Sequence, residues 1–419
     1  MTSRRPLAGL SGVRRLELGA LAESESTALL RAVVANGRVD ADHDAAARVA
    51  ALCGHLPLAL RVAANWAATR SGWSLGRLAE RLADEDRRVD ALSAGDLGVG
   101  SAFHLSYSRL TPETARVFRL LSLIPGGDFC LPYAAVLAET SAVEAEDTLE
   151  ELLEAGLLMT SVRDRYRFHD LLRLYGRARN RDTDDEAVSV AAATRLRGWL
   201  LDTVVVAARV ASGETPALEG GDATPLPGHF GTREQALAWL RAESDNWLSA
   251  LRQEAGQQDP GRVTEIAFAV EAVCNSWISW GHWSEVFALG ARSAEATGDP
   301  DGQAGCLSML AWVHWQCHRS HGEALDAAAS ALSVATACGS LSRQAEAYMY
   351  LGRLHDVAND VVPAVEDIAR AIELYLRTGD TRRYLQAANM NITVLRKAGR
   401  GQEAIETHHA VIGEKEPPP

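Results

Sequence analysis

The densest group of ligating side chains in the sequence is His314, Cys317, His318 and His321, an H-x-x-C-H-x-x-H pattern. His314 and His318 are four residues apart, which on a helix places two imidazoles on one face, where they could share a metal ion. Trp312 and Trp315 interleave with them, and the repeat phase described below puts the cluster at an inter-helix turn. A structural turn is therefore expected, and no metal site is assigned. No paired carboxylates and no nucleophile–base set stand at diagnostic spacing, so no catalytic residue is assigned.

Phosphate chemistry is limited by the lysines. Only Lys397 and Lys415 occur, after Arg396 and Glu414. A phosphate-binding loop needs Gly-Lys-Ser/Thr, so this sequence holds no Walker A motif and is not expected to act alone as an enzyme. The six cysteines (53, 130, 274, 306, 317 and 338) form no CxxC pair and read as free thiols. The net charge of −13 argues against a general nucleic-acid or anionic-membrane surface. No apolar segment follows the basic N-terminus as a secretion signal would require, and no apolar run is long enough for a bilayer, so cytoplasmic residence is expected.

The elements that must position these residues are almost all helical. Helices are read over 21–35, with Ser24 or Ser26 as cap, and over Asp40–Leu52, ending at Gly54. Pro57 then starts a helix to about Thr69, and another spans Ser74–Asp84. Gly95–Gly100 reads as a loop. From Ser101 follow helices at Pro112–Leu123, Leu131–Glu139 and Val143–Ala155, and strands at Leu157–Val162 and Tyr166–Phe168. Asp170 is expected to cap the next helix. Three helices and a two-stranded wing are the order of a winged helix. Asn180–Glu186 reads as a charged breaker, Ala187–Val210 as one long helix, and Ser212–Gly231 as a loop.

From Thr232, which has capping-box spacing to Gln235, the pattern repeats. Helices begin near Trp283, Ala324, Ala364 and Ala404, a step of about 40 residues, and Gly298-Asp299, Gly339-Ser340 and Gly379-Asp380 recur in phase. Such a period indicates an α-solenoid. The tryptophans at 277, 280, 283, 312 and 315 are read as inter-repeat core in preference to a peptide groove. The fold class is therefore mostly α, a helical bundle and winged helix followed by a solenoid.

Two motifs carry a family resemblance. Gly54-His55-Leu56-Pro57-Leu58-Ala59-Leu60 resembles the GLPLAL motif of NB-ARC proteins, the STAND-class signalling switches, and Arg167-Phe168-His169-Asp170-Leu171-Leu172 resembles their MHD motif. Phe103 to Leu110 looks like the opening of their winged-helix domain. With a repeat array behind them, the likeness is to the C-terminal portion of actinobacterial AfsR/SARP-type regulators, which continue into tetratricopeptide repeats. Leu351-Gly352 and the alanines at 324, 364 and 404 sit where such repeats place Leu-Gly and small residues. The step exceeds the usual ~34 residues, which leaves HEAT-like pairing open.

The resemblance implies domains at 1–20 (a remnant of the nucleotide-binding domain), 21–97 (ARC), 98–180 (winged helix), 181–231 (linker helix and loop) and 232–416 (repeats). It also implies that Pro57 packs near adenine, that His169 contacts the β-phosphate of ADP, and that Arg4, in a segment like the sensor-1 end, faces a γ-phosphate. In the family the Walker segments precede the part that matches here. Without their contacts, affinity for ADP or ATP is expected to be weak or absent. His55 replaces the usual Gly and Phe168 the usual Met, which are mild departures. The expected function is regulatory, the ADP-sensing and partner-binding part of a transcriptional regulator. Its partners would be a protein in the repeat groove and a nucleotide-binding chain in trans. The alternatives are a scaffold that binds no nucleotide and a DNA-binding winged helix. The acidic run at Glu144, Glu146, Asp147, Glu150, Glu151 and Glu154 would be repelled by DNA phosphate and counts against the last.

Overall fold

The computed structural model describes residues 19–34, 37–69, 73–84, 88, 99–161, 165–213, 230–257 and 260–413. Its contacts divide it into two compact units, with the division after Trp199.

The first unit opens with α1 (Glu23–Val33), α2 (Arg38–Ala41), α3 (His43–Leu52), α4 (Pro57–Thr69) and α5 (Leu75–Ala83). Ala59, Leu60, Ala63, Ala64 and Ala67 of α4 are buried in a stripe at helical spacing. α4 packs chiefly on α1, and α3 on α5; Leu30 of α1, Ala46 and Val49 of α3, and Leu78 and Leu82 of α5 are buried too. The cap expected at Ser24 or Ser26 is corrected. Ala22 is the N-cap, Glu25 reaches back to its N–H at 2.9 Å, and Ser26 is fully buried. The helix read over Asp40–Leu52 is two helices, because the Asp42 carboxylate leaves the first to cap the second through the Ala45 N–H.

Next come α6 (Val99–Tyr107), α7 (Pro112–Leu121), α8 (Leu131–Ala138), α9 (Ala142–Glu154), β1 (Met159–Thr160), β2 (Tyr166–Arg167) and α10 (Asp170–Thr183). Val99 and Gly100 are already helical, which corrects the end of the loop read over Gly95–Gly100. Residues 95–98 lie outside the described residues. The strands are shorter than expected: β1 and β2 pair antiparallel for two residues each, and Phe129 adds a bridge to Tyr166. Aromatic packing centred on Phe118 and Tyr175 joins α6, α7 and α10, with Tyr107 5.7 Å from Phe118 and 5.8 Å from Tyr175. The charged breaker expected over Asn180–Glu186 falls at Asp184 and Asp185, between the end of α10 at Thr183 and the next helix. Asp184 caps α10 and forms a bidentate ion pair with the buried Arg119 at 2.6 and 2.7 Å. Arg119 also donates to the Tyr107 hydroxyl at 2.6 Å. One long helix, α11 (Glu186–Ser212), follows as expected. Residues 214–229 of the expected loop lie outside the described residues.

The second unit holds α12 (Arg233–Ala242), α13 (Ser244–Ala255), α14 (Gly261–Cys274), α15 (Trp283–Thr297), α16 (Pro300–Gln316), α17 (His321–Ala337), α18 (Leu341–Val357), α19 (Val361–Thr378), α20 (Thr381–Lys397) and α21 (Gly401–Gly413). From α15 onwards alternate helices start at 283, 321, 361 and 401, and the intervening ones at 300, 341 and 381, so the step is 38 to 41 residues. The turn signals work locally. Gly298, Gly339 and Gly379 take φ of +69°, +74° and +72°, and Asp299, Ser340 and Asp380 cap the following helices. Ala324, Ala364 and Ala404 are buried. At Leu351-Gly352 a Cβ on Gly352 would stand 2.6 Å from Ile368 Cγ1, so the glycine permits the close approach of α18 to α19.

Trp280, Trp283 and Trp312 are buried, and Trp277 and Trp315 partly so, as expected of core. Trp277 and Trp280 stack at 4.5 Å, and the Trp283 indole donates to the Trp277 carbonyl at 2.8 Å. All six cysteines are free thiols. Among the described residues no helix is long and apolar enough to cross a membrane.

Candidate functional site

The first of the two motifs forms a tight corner between α3 and α4. Gly54 and His55 both lie in the left-handed region, at φ +60° and +56°. This lets the His55 N–H reach back to the Ala50 carbonyl at 3.1 Å and the Gly54 N–H to Ala51 at 2.8 Å, which closes α3. A non-glycine residue in this conformation is uncommon, and its surroundings hold it there. His55 Nδ1 is 3.0 Å from the buried Ser26 hydroxyl, and its carbonyl accepts from the Leu21 N–H at 3.0 Å. Pro57 then opens α4 at a position that needs no N–H. Pro57 is exposed, and Leu58 is 37% exposed.

The second motif ends the hairpin and starts α10. Phe168 is buried against Phe118 and Phe129, at ring distances of 5.4 and 6.2 Å. His169, not Asp170, is the N-cap of α10: its Nδ1 accepts from the Leu171 N–H at 3.4 Å, and Asp170 is the first helical residue. The imidazole replaces the expected carboxylate because the chain enters α10 one residue earlier than the Asp would require. The other ring nitrogen, Nε2, donates to the Gly54 carbonyl at 2.9 Å. The two motifs are thus in direct contact, 115 residues apart in sequence.

The two bonds define the tautomer, with hydrogen on Nε2 and a lone pair on Nδ1. Burial holds the His169 pKa below the usual imidazole value, although the Gly54 carbonyl and Asp170 pull the other way. At neutral pH the ring is uncharged, and its single donor is committed to a backbone carbonyl. Of the three residues assigned from the sequence, His169 and Pro57 therefore belong to one corner, Pro57 three residues on from the carbonyl that His169 holds. Arg4 lies outside the described residues. Sequence reading missed the Gly54 carbonyl and the Ser26–His55 bond. The signal for the first was a glycine followed by a second residue in a left-handed turn.

Two curated relatives align with most of this chain. Regulatory protein AfsR of Streptomyces griseus is 38% identical over 319 residues, 75% of this chain and 32% of the relative. Its namesake in Streptomyces coelicolor is 38% identical over 307 residues, 71% of this chain and 30% of the relative. The chain is homologous to the AfsR regulatory proteins. It spans about a third of the length of these AfsR relatives. No protein-family model matches it. Two solved structures are more distant. BtubC from P. vanneervenii is 22% identical, covering 52% of this chain and 94% of that one at a TM-score of 0.35. A STAND protein with a tetratricopeptide repeat sensor from Pyrococcus horikoshii is 14% identical, covering 97% and 62% at a TM-score of 0.30. Superpositions this loose bear on neither fold nor function, and the AfsR likeness rests on sequence.

Proposed function

We propose that this chain is the nucleotide-responsive lid and partner-binding part of an AfsR-type transcriptional regulator. The observation that carries the reading is the His169–Gly54 bond, which joins the two motifs through one exchangeable donor. A phosphate oxygen of ADP would compete with the Gly54 carbonyl for the Nε2 hydrogen, so nucleotide would release the corner from the helix that follows the hairpin. Pro57 fits an adenine face, being exposed and rigid at the start of α4. The remaining phosphate contacts would come from a nucleotide-binding chain, because this sequence has no Gly-Lys-Ser/Thr. Its repeats would present a groove to a protein partner.

Calorimetry with ADP tests the reading. Saturable heat that is lost in His169→Ala supports the lid. Silence in both at ADP concentrations high enough to register weak binding, or heat equal in both, overturns it. The same contact favours a second reading. Both ring nitrogens of His169 are satisfied within the protein, as in a structural clamp, and in that case the repeats alone act, as a scaffold. Silence with ADP, combined with a loss of stability in His169→Ala, is the result this scaffold predicts. DNA binding through α9 is the weakest reading. Its Glu151 faces α7, accepting from Thr111 and Thr114, and the other acidic groups repel phosphate.

A further inference from the structure

The structure assembles a three-ligand set that the sequence pattern did not contain in full. His314 lies in the last turn of α16, which closes with the Cys317 and His318 N–H groups both on the Val313 carbonyl. Arg319 then takes φ +57°, and the Ser320 N–H bonds back to the His314 carbonyl at 2.9 Å. This tight reversal brings Glu323, in the first turn of α17, over the end of α16. One ligating atom from each of His314, His318 and Glu323 lies within 4.8 Å of the others. Cys317 and His321, the other members of the H-x-x-C-H-x-x-H pattern, are not in the set.

His314 Nδ1 is sequestered from solvent and has no hydrogen-bond partner, although Glu323 Oε2 is only 3.0 Å away. The contact has the distance of a hydrogen bond without its direction. A nitrogen and a carboxylate oxygen this close, with the ring not aimed at the oxygen, have the arrangement of two ligands that share an ion. We propose that His314, His318 and Glu323 bind a zinc-class divalent ion that ties the end of α16 to the start of α17. Two imidazoles and one carboxylate suit zinc and its late first-row neighbours, and they leave a position for water. Metal–ligand bonds of about 2.1 Å put tetrahedral ligand atoms about 3.4 Å apart. His318 and Glu323 are exposed, so rotation of their side chains can close the set from 4.8 Å without moving the helices, and the ion can enter from solvent.

The test uses the full chain, without an affinity tag and stripped of metal. Zinc is titrated by calorimetry, and cobalt is added as a spectroscopic probe whose visible bands report the ligand geometry. The expected result is one equivalent of zinc, a rise in Tm that a chelator reverses, and binding at least tenfold weaker in both His318→Ala and Glu323→Gln. These two side chains are exposed, so circular dichroism should show the variants folded. His321→Ala and C317S should bind as the parent does. No saturable uptake, uptake that survives His318→Ala and Glu323→Gln, or equal loss in His321→Ala would each overturn the site.

Discussion

A methyl group on Gly54 would lie 2.2 Å from Cε1 of His169 and 2.9 Å from its Nε2. The glycine is required twice over, once by its left-handed backbone and once by the imidazole against it. Alanine at φ +60° alone costs about 1–2 kcal/mol, and the overlap adds to that. Gly54→Ala is therefore expected to destabilise the first unit by more than about 2 kcal/mol in urea denaturation. His169→Ala should remove the overlap, so the double variant should cost less than the sum of the singles. Strict additivity would mean that the two residues do not press on each other.

The His169 titration gives a stability slope with a definite sign. Its pKa in the fold is below the ordinary 6.5, chiefly through burial. Above 6.5 the ring is neutral in both folded and unfolded chains, and the contribution is complete. As pH falls below 6.5, the unfolded chain binds the proton first and stability is lost, until the lowered folded value is passed. His169→Gln keeps a donor for Gly54 without a titrating ring. It should flatten the dependence of stability on pH just below 6.5. An unchanged slope would assign that dependence to other groups.

The Arg119–Asp184 pair should behave as a buried ion pair, with side chains 9% and 13% exposed. Burial pushes the Asp184 carboxyl up, but its bonds to Arg119 and Asn180 outweigh this and hold it below the usual range. Its contribution is present above the ordinary carboxylate value and is lost as pH falls through the lowered one. Asp184→Ala leaves a desolvated guanidinium with only Tyr107, at an expected cost of about 3 kcal/mol. Replacing both, as Arg119→Met with Asp184→Leu, should recover most of that. A double variant as unstable as the single would show that the pair is worth more than its apolar substitute.

In the repeats, Gly352→Ala should force α18 from α19, because Ile368 Cγ1 and the Ile368 backbone nitrogen stand 2.6 and 3.2 Å from the new methyl. A loss of about 1–3 kcal/mol is expected, and the same change made in an Ile368→Ala background, which removes Cγ1, should cost less. Gly379→Ala meets no atom within 4 Å and should cost only its backbone strain, about 1–2 kcal/mol. Thermal melts of these variants would rank them. Equal stability for Gly352→Ala and the parent would show that the helices adjust without cost.

Much of the fold was legible because it is written in local signals. The repeat phase follows from Gly298, Gly339 and Gly379, each followed by a capping Asp or Ser, and such caps act within one helical turn. Pro57 marks the start of α4 for the same reason. The local errors came from competition among equally local groups. Asp42 caps α3 and so splits one expected helix, while Glu25, not a serine, closes the start of α1. Ser26 could not be assigned correctly from its neighbours, because its partner is His55, 29 residues away.

By itself the sequence determined the helical class, the phase of the repeats, the absence of a Gly-Lys-Ser/Thr loop and the two motifs that could face a nucleotide. Only the tertiary structure decided that His169 is held by Gly54, that Asp184 serves Arg119, and that Glu323 rather than Cys317 or His321 joins His314 and His318. Periodicity and capping are properties of a few consecutive residues. A hydrogen bond, ion pair or ligand set depends on which surfaces the packed helices bring together, and that no short window of sequence contains.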